Sequence, residues 1–411
     1  MKNIGISSDE IVNYLNHNTN NFLKVKKIAM KQILRMIAGL LIGVVIGLVG
    51  AAVIVVLFMD VSLEEYLQKL SSIAWGEMML AMLVGIIGFL VATFLHIIIH
   101  EGGHLVCGLL TGYRFVSFRV FNWTFIRESG KLRIKHFSVA GTGGQCLMAP
   151  PNKPLDEIPV TWYNLGGVLA NLVCVGAAFL FLQLTDNPFV ETFLIIFIIF
   201  GLFLILMNGI PMTIGGVSND ANNVILLRKD KTSKRALMIQ LEGNALAQQG
   251  VRPCDMPSEW FLIDEAYADY KNPLLVNIRL MAASRLLDEE KWEEAYVALT
   301  GIYEHKADIM GLYVKEVACE LLFSAMVTGR TEQASALYAD NELKNYIQQF
   351  KGVMSSKQRI LCAVALYLEN DSAKAQSICE TLQQQQHHYL MQGEVKSDLS
   401  IMNAILHTPS A

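Results

Sequence analysis

The segment His96-Ile-Ile-Ile-His100-Glu101-Gly102-Gly103-His104 carries residue types that can do chemistry, at a spacing that lets them act together. Residues four apart share one face of a helix, so the imidazoles of His100 and His104 can reach a single metal ion. The carboxylate of Glu101 is then placed to take a proton from a water polarised by that ion. His96 lies one turn further back on the same face. Three histidines in a nearly straight row seldom converge on a tetrahedral ion, so His96 reads as a polar residue packed behind the ligands. Gly102 and Gly103 are weak helix formers, and read as a way to keep that face open or to let another helix approach.

A catalytic zinc ion needs a third protein ligand and one open position. The candidate follows Asn208-Gly-Ile-Pro211, where proline ends an apolar run and turns the chain back. Nine residues after Pro211 comes Asp220, which can either reach the same ion or join Ser218 and Asn219 in capping the next helix. Asn171, in Gly166-Gly167-Val-Leu-Ala-Asn171, is an amide inside another apolar run. It either ties helices together or donates to a developing oxyanion.

These residues need membrane helices to position them. Apolar residues make up 53% of the 411 and charged residues 17%, well below the ~25% charged of an ordinary soluble domain. Uncharged runs over 37–59, 78–99, 162–184 and 192–211 are each long enough to cross a bilayer. The motif closes the second run, where ionisable groups are costly and therefore point to function. Lysine and arginine collect before the first run, in 113–160 and in 228–235. That distribution predicts both termini, the 113–160 region and the motif's end of its helix on the cytoplasmic side. Residues 11–35 suit an amphipathic helix on the membrane surface.

Between the second and third runs, alternating apolar and basic residues predict a small β-hairpin turning near Glu128-Ser129-Gly130. The glycine-rich stretch 140–148 follows it, read as part of the same hairpin region or partly re-entrant. From 231 the chain reads as a soluble helical domain. Pairs of helices are expected around Ala295, Ala334 and Ala375, about 40 residues apart, as in a loose tetratricopeptide-like repeat or an ordinary helical domain. The polar end from Gln383 is expected to fray. The fold class is thus mainly α: a polytopic bundle of about four transmembrane helices, with a small β-hairpin insertion and a soluble repeat-like C-terminal domain. The divisions fall at 1–36, 37–230 and 231–411. A net charge of −4 without a basic block excludes nucleic acid as a partner. Seven scattered cysteines without a CxxC pair argue against a disulfide framework or a thiolate zinc site.

Three motifs in this order, His100-Glu101-x-x-His104, Gly-Gly-x-x-x-Asn171 and Asn208-x-x-Pro211 leading to Asp220, resemble the site-2 protease family of intramembrane zinc metalloproteases. The resemblance covers about residues 75–225. It implies zinc held by His100, His104 and Asp220, Glu101 as general base, and Asn171 at the substrate or oxyanion. His96 and Asn208 would stand behind the ligands. The stretch 141–148, with Gly143 and Gly144, would pair with an unwound substrate strand. The implied reaction is hydrolysis of peptide bonds in membrane-embedded or membrane-associated proteins, and the expected setting is a bacterial inner membrane. The C-terminal helices would then bind a cytoplasmic protein partner. Three departures from the family pattern are Asp220-Ala221 where Asp-Gly is usual, a gap from Pro211 to Asp220 longer than the common form, and Val168 after the glycine pair where proline is frequent. An inactive scaffold of the same fold would have no use for Glu101. A metal transporter would carry further ionisable residues in the other runs, which have none.

Overall fold

The computed structural model describes residues 62–407, apart from 73, 129–130, 137–142, 215–216 and 263–267. The expected N-terminal segment with its surface helix, and the apolar run 37–59, lie outside the described residues. The chain forms two compact units that divide after Val84. The first includes a short helix, α1 (Leu63–Ser72), which has Glu64 and Glu65 in its opening turn.

Among the described residues, three helices are long and apolar enough to cross a membrane: α2 (Trp75–Leu110), α3 (Thr161–Leu182) and α4 (Pro188–Gly209). At 1.5 Å per residue the 36 residues of α2 extend about 54 Å, so its last turns carry the motif well beyond the length a bilayer core requires. Gly112 ends the helix with φ +91, a left-handed conformation that favours glycine. The N–H of Tyr113 then closes back onto Gly108 O at 2.9 Å. Asn187 opens α4, accepting from the N–H groups of Phe189 and Val190 with Pro188 in the first turn. Leu90, Val173, Phe181 and Phe203 are left exposed, as lipid-facing side chains would be. His96, Asn164 and Asn171 turn inward and are buried.

Between α2 and α3 lies a four-stranded antiparallel sheet in the order β3-β2-β1-β4, made of β1 (Arg114–Val120), β2 (Trp123–Glu128), β3 (Lys131–His136) and β4 (Gly144–Ala149). The expected hairpin is its β2–β3 pair, which flanks 129–130 and sets Phe125 opposite Ile134. The hairpin reading was too small: the glycine-rich stretch continues into β4, which pairs with β1 across a register shift between Phe115 and Ser117. Two glycines carry no alternation of side chains, so this strand was not visible as one. Cys146, Leu147 and Met148 of β4 share a core with Leu227 of α5 (Asp220–Lys229) and with Met238, Leu241 and Ala245 of α6 (Lys231–Gln248). The expected boundary at 230 therefore falls between two helices, the second of which packs back on the sheet.

The remaining helices are α7 (Pro273–Asp288), α8 (Trp292–Glu304), α9 (Gly311–Val327), α10 (Thr331–Ala339), α11 (Asn341–Phe350), α12 (Ser355–Ala363), α13 (Ser372–Gln385) and α14 (Gln392–His407). Ala295, Ala334 and Ala375 are fully buried in α8, α10 and α13, where a larger side chain would hold neighbouring helices apart. The polar end does not fray as expected. α14 buries Val395, Ile401, Met402 and Ile405 in the core of these helices, an apolar stripe that outweighs the glutamine run before it. All seven cysteines are free thiols.

Candidate metal centre

His100 and His104 project from one face of α2, and Asp220 reaches them as the first residue of α5. The Nε2 atoms of the two histidines are 3.2 Å apart. Asp220 Oδ2 stands 3.2 Å from His100 Nε2 and 3.5 Å from His104 Nε2. Ligand atoms about 2.0–2.1 Å from a tetrahedral ion stand about 3.3–3.4 Å from one another, so the three separations suit one small cation. All three side chains are largely buried, with 12–18% of their surface accessible.

Polarity agrees with spacing. His104 Nδ1 lies 2.7 Å from the carbonyl oxygen of Tyr163, which can only accept. Nδ1 therefore carries a proton, and Nε2 of the neutral ring would present a lone pair. The carboxyl of Asp220 is ordinarily an anion at neutral pH. Its Oδ2 is buried without a hydrogen-bond donor. Acceptors converging in a place poor in water repel one another unless a cation lies between them. Two imidazoles and a carboxylate, with ligand atoms within 4.8 Å of one another, form a donor set that could hold a divalent ion.

Asp220 is brought there by its neighbour. Asn219 Nδ2 donates to Met207 O at 2.7 Å and Ile210 O at 2.6 Å, and its Oδ1 accepts from Met212 N and Asn222 N. One side chain thus holds the end of α4, the turn, and the start of α5. The alternatives of ligand and cap fall to adjacent residues, with Asn219 as the cap and Asp220 at the cluster.

Glycines make the close approaches. A Cβ on Gly103 would meet Gly166 O at 2.2 Å, so α2 and α3 touch backbone to backbone. A Cβ on Gly167 would lie 2.5 Å from His100 Cε1, and one on Gly201 2.5 Å from His96 Cε1, so each imidazole sits in a recess left by a glycine. Gly102 has open space around it. Gly144 lies against Glu101, where a Cβ would stand 2.6 Å from Glu101 Cγ, and Gly143 lies against Ile97. The general-base candidate therefore rests on the opening residues of β4.

Asn171 and Asn208 both find partners within the helices. Asn171 is fully buried behind His100, with one end of its amide 3.1 Å from His96 Nδ1 and the other 3.3 Å from His100 Nδ1. Asn208 donates to Leu204 O of its own helix rather than supporting a ligand. His96 is fully buried beside Phe197, with Nε2 2.9 Å from Phe197 O. Arg119 escaped the sequence reading. It is buried in β1 and donates to Phe121 O at 2.8 Å and Gly144 O at 3.2 Å, which fixes the backbone beneath Glu101. A basic residue among alternating basic residues carries no signal of its own. Comparison with protein-family models, curated proteins and solved structures yields no match.

Proposed function

We propose that this chain is a zinc metallopeptidase working within a membrane, of the kind the site-2 proteases represent. The observation that supports it most is the convergence of His100, His104 and Asp220 from separate helices, with Glu101 beside them. Bound zinc would supply Lewis acidity, polarising the scissile carbonyl and acidifying the attacking water. Glu101, held against Gly144, accepts the proton of that water and passes it to the leaving amine. Arg119 keeps the Gly144 backbone in place under that carboxylate.

A substrate helix has its carbonyls engaged in hydrogen bonds and must unwind before attack. Strand β4 pairs with β1 on one side, and its Gly143–Gly144 end gives an extended segment somewhere to lie next to Glu101. The substrate on this reading is a single-span membrane protein or a membrane-associated peptide, cut near the cytoplasmic face. Four spans would place both termini in the cytoplasm of a bacterial cell, and the C-terminal helices would dock a cytoplasmic partner.

Glu101→Gln tests the assignment, because it preserves size while removing the base. Cleavage of a membrane-protein substrate by the purified enzyme should fall about 10²–10⁴-fold, with zinc content unchanged. Undiminished cleavage by Glu101→Gln would remove the protease reading.

A further inference from the structure

The contacts of His96 are inconsistent with the amide orientation that places Asn171 Oδ1 beside it. Nε2 of His96 faces Phe197 O, a pure acceptor, at 2.9 Å, so Nε2 must donate. With Oδ1 of Asn171 at 3.1 Å from Nδ1, that nitrogen would have to donate as well. His96 would then be an imidazolium, fully buried among Phe197, Phe200 and Val175, and neither of its hydrogen-bond partners is an acid. Turning the Asn171 amide over removes the conflict, since its oxygen and nitrogen occupy nearly the same positions. Nδ2 then donates to the lone pair of a neutral His96, and Oδ1 accepts from His100 Nδ1–H. Each ring N–H in the row then meets an acceptor, and His100 is left with its lone pair on Nε2, the atom beside Asp220.

We propose that His96 and Asn171 form a positioning relay: Phe197 O orients His96, His96 orients the Asn171 amide, and the amide holds His100 in the tautomer that presents Nε2 to the metal. The inference rests on the metallopeptidase reading and deepens it. The relay runs through all three described membrane helices, from Phe197 on α4 to His96 on α2, then Asn171 on α3 and back to His100 on α2. Gly201 supports it independently. This glycine lies within α4, where glycine weakens a helix, and its missing Cβ makes the recess holding the His96 ring. Tyr163 O does for His104 what the relay does for His100. One ligand is thus fixed by a backbone carbonyl and the other by a side chain that itself needs fixing.

The test is zinc affinity of the purified full-length protein, measured by competition with a chelator of known strength. Asn171→Leu should weaken binding about 10–100-fold, the usual consequence of losing a ligand's supporting acceptor. Asn171→Asp should bind more tightly than Asn171→Leu, because a carboxylate also accepts from His100 Nδ1–H. Mere helix packing predicts the reverse order, since a buried carboxylate disrupts an apolar interface more than leucine does. His96→Phe should weaken binding, and Leu172→Ala on the exposed face should leave it unchanged. Wild-type affinity in Asn171→Leu, or weaker binding in Asn171→Asp than in Asn171→Leu, overturns the relay alone. Absence of zinc binding by the wild type overturns both the relay and the metallopeptidase reading. If the Asn171 variants do not fold, ¹⁵N-histidine spectra of metal-free wild type decide the matter: the relay requires the proton of His100 on Nδ1, and a ring protonated only on Nε2 contradicts it.

Discussion

Two regions bury ionisable side chains, and they do so in opposite ways. Among the C-terminal helices, Arg359 gives Nε to Asp398 and Nη2 to Glu320, each at 2.6 Å, while its guanidinium lies over the Phe323 ring at 4.1 Å. Ser355 donates to the same Asp398, and Lys357 pairs with Glu316 at 2.7 Å. Cations there meet anions, although Nη1 of Arg359 is buried without an acceptor. At the end of α2, Nε2 of His100, Nε2 of His104 and Oδ2 of Asp220 point at one another; the Nδ1 proton of His104 is directed outward to Tyr163 O, and in the proposed relay that of His100 goes to Asn171. A charge cluster complete in itself holds helices together. One whose members share the same polarity is complete only with something added.

The largest effects should come from filling the recesses of the membrane site. Gly167→Ala should drive the His100 ring from its place and weaken zinc binding by at least about 100-fold, while the circular-dichroism spectrum stays helical. Retained affinity would mean that the ring is not confined as described.

Next in size, Arg359→Leu should destabilise the C-terminal helices by about 3–5 kcal/mol, because it strands Glu320 and Asp398 without a partner. Zinc affinity of the surviving folded protein should not change. A joint loss of both would erase the distinction between the two regions.

A gentler test of the closed kind is Asp288, which accepts from Arg252 at 2.7 Å and from the N–H of Cys254 at 2.9 Å. Burial raises its carboxyl, but the hydrogen bonds from Arg252 and Cys254 outweigh that and hold it below the usual range. A depressed folded value contributes stability above the unfolded value, about 4, that is lost as pH falls through the folded one. Thermal unfolding of the wild type should therefore worsen with acid below about pH 4, and Asp288→Asn should flatten that dependence. An identical pH profile in the variant would count against the clamp.

The smallest effect is expected at Gly102, which has open space where Gly103 has none. Gly102→Ala should preserve metal binding and stabilise the helix by up to about 1 kcal/mol. Gly103→Ala should separate α2 from α3, seen as loss of folded protein on purification.

Much of this site could be read from residue order. Spacing alone put His100 and His104 on one face, and hydropathy placed that face at the end of an apolar run. Asp220 was a named candidate because proline turns the chain shortly before it. What escaped depends on rotation and depth, which a linear pattern does not encode. Asn171 announces only that it needs a partner; the turn of α3 that aims it behind His100 is set by Gly166 meeting Gly103. Asn208 and Asn219 both flank the same bend, and only the folded turn shows that Asn219 gathers its backbone. Gly201 stands alone in an apolar run, and its purpose appears only once His96 is seen inside the gap. The helix α14 was hidden by the glutamines before it, although Val395, Ile401, Met402 and Ile405 carry its core-facing stripe.

The most direct measurement is zinc binding by purified wild type and by Asp220→Ala, side by side with His100→Ala. The account predicts about one tightly held zinc per wild-type chain and loss of tight binding in both variants. Zinc held by Asp220→Ala as firmly as by the wild type, or no zinc in the wild type at all, would contradict it.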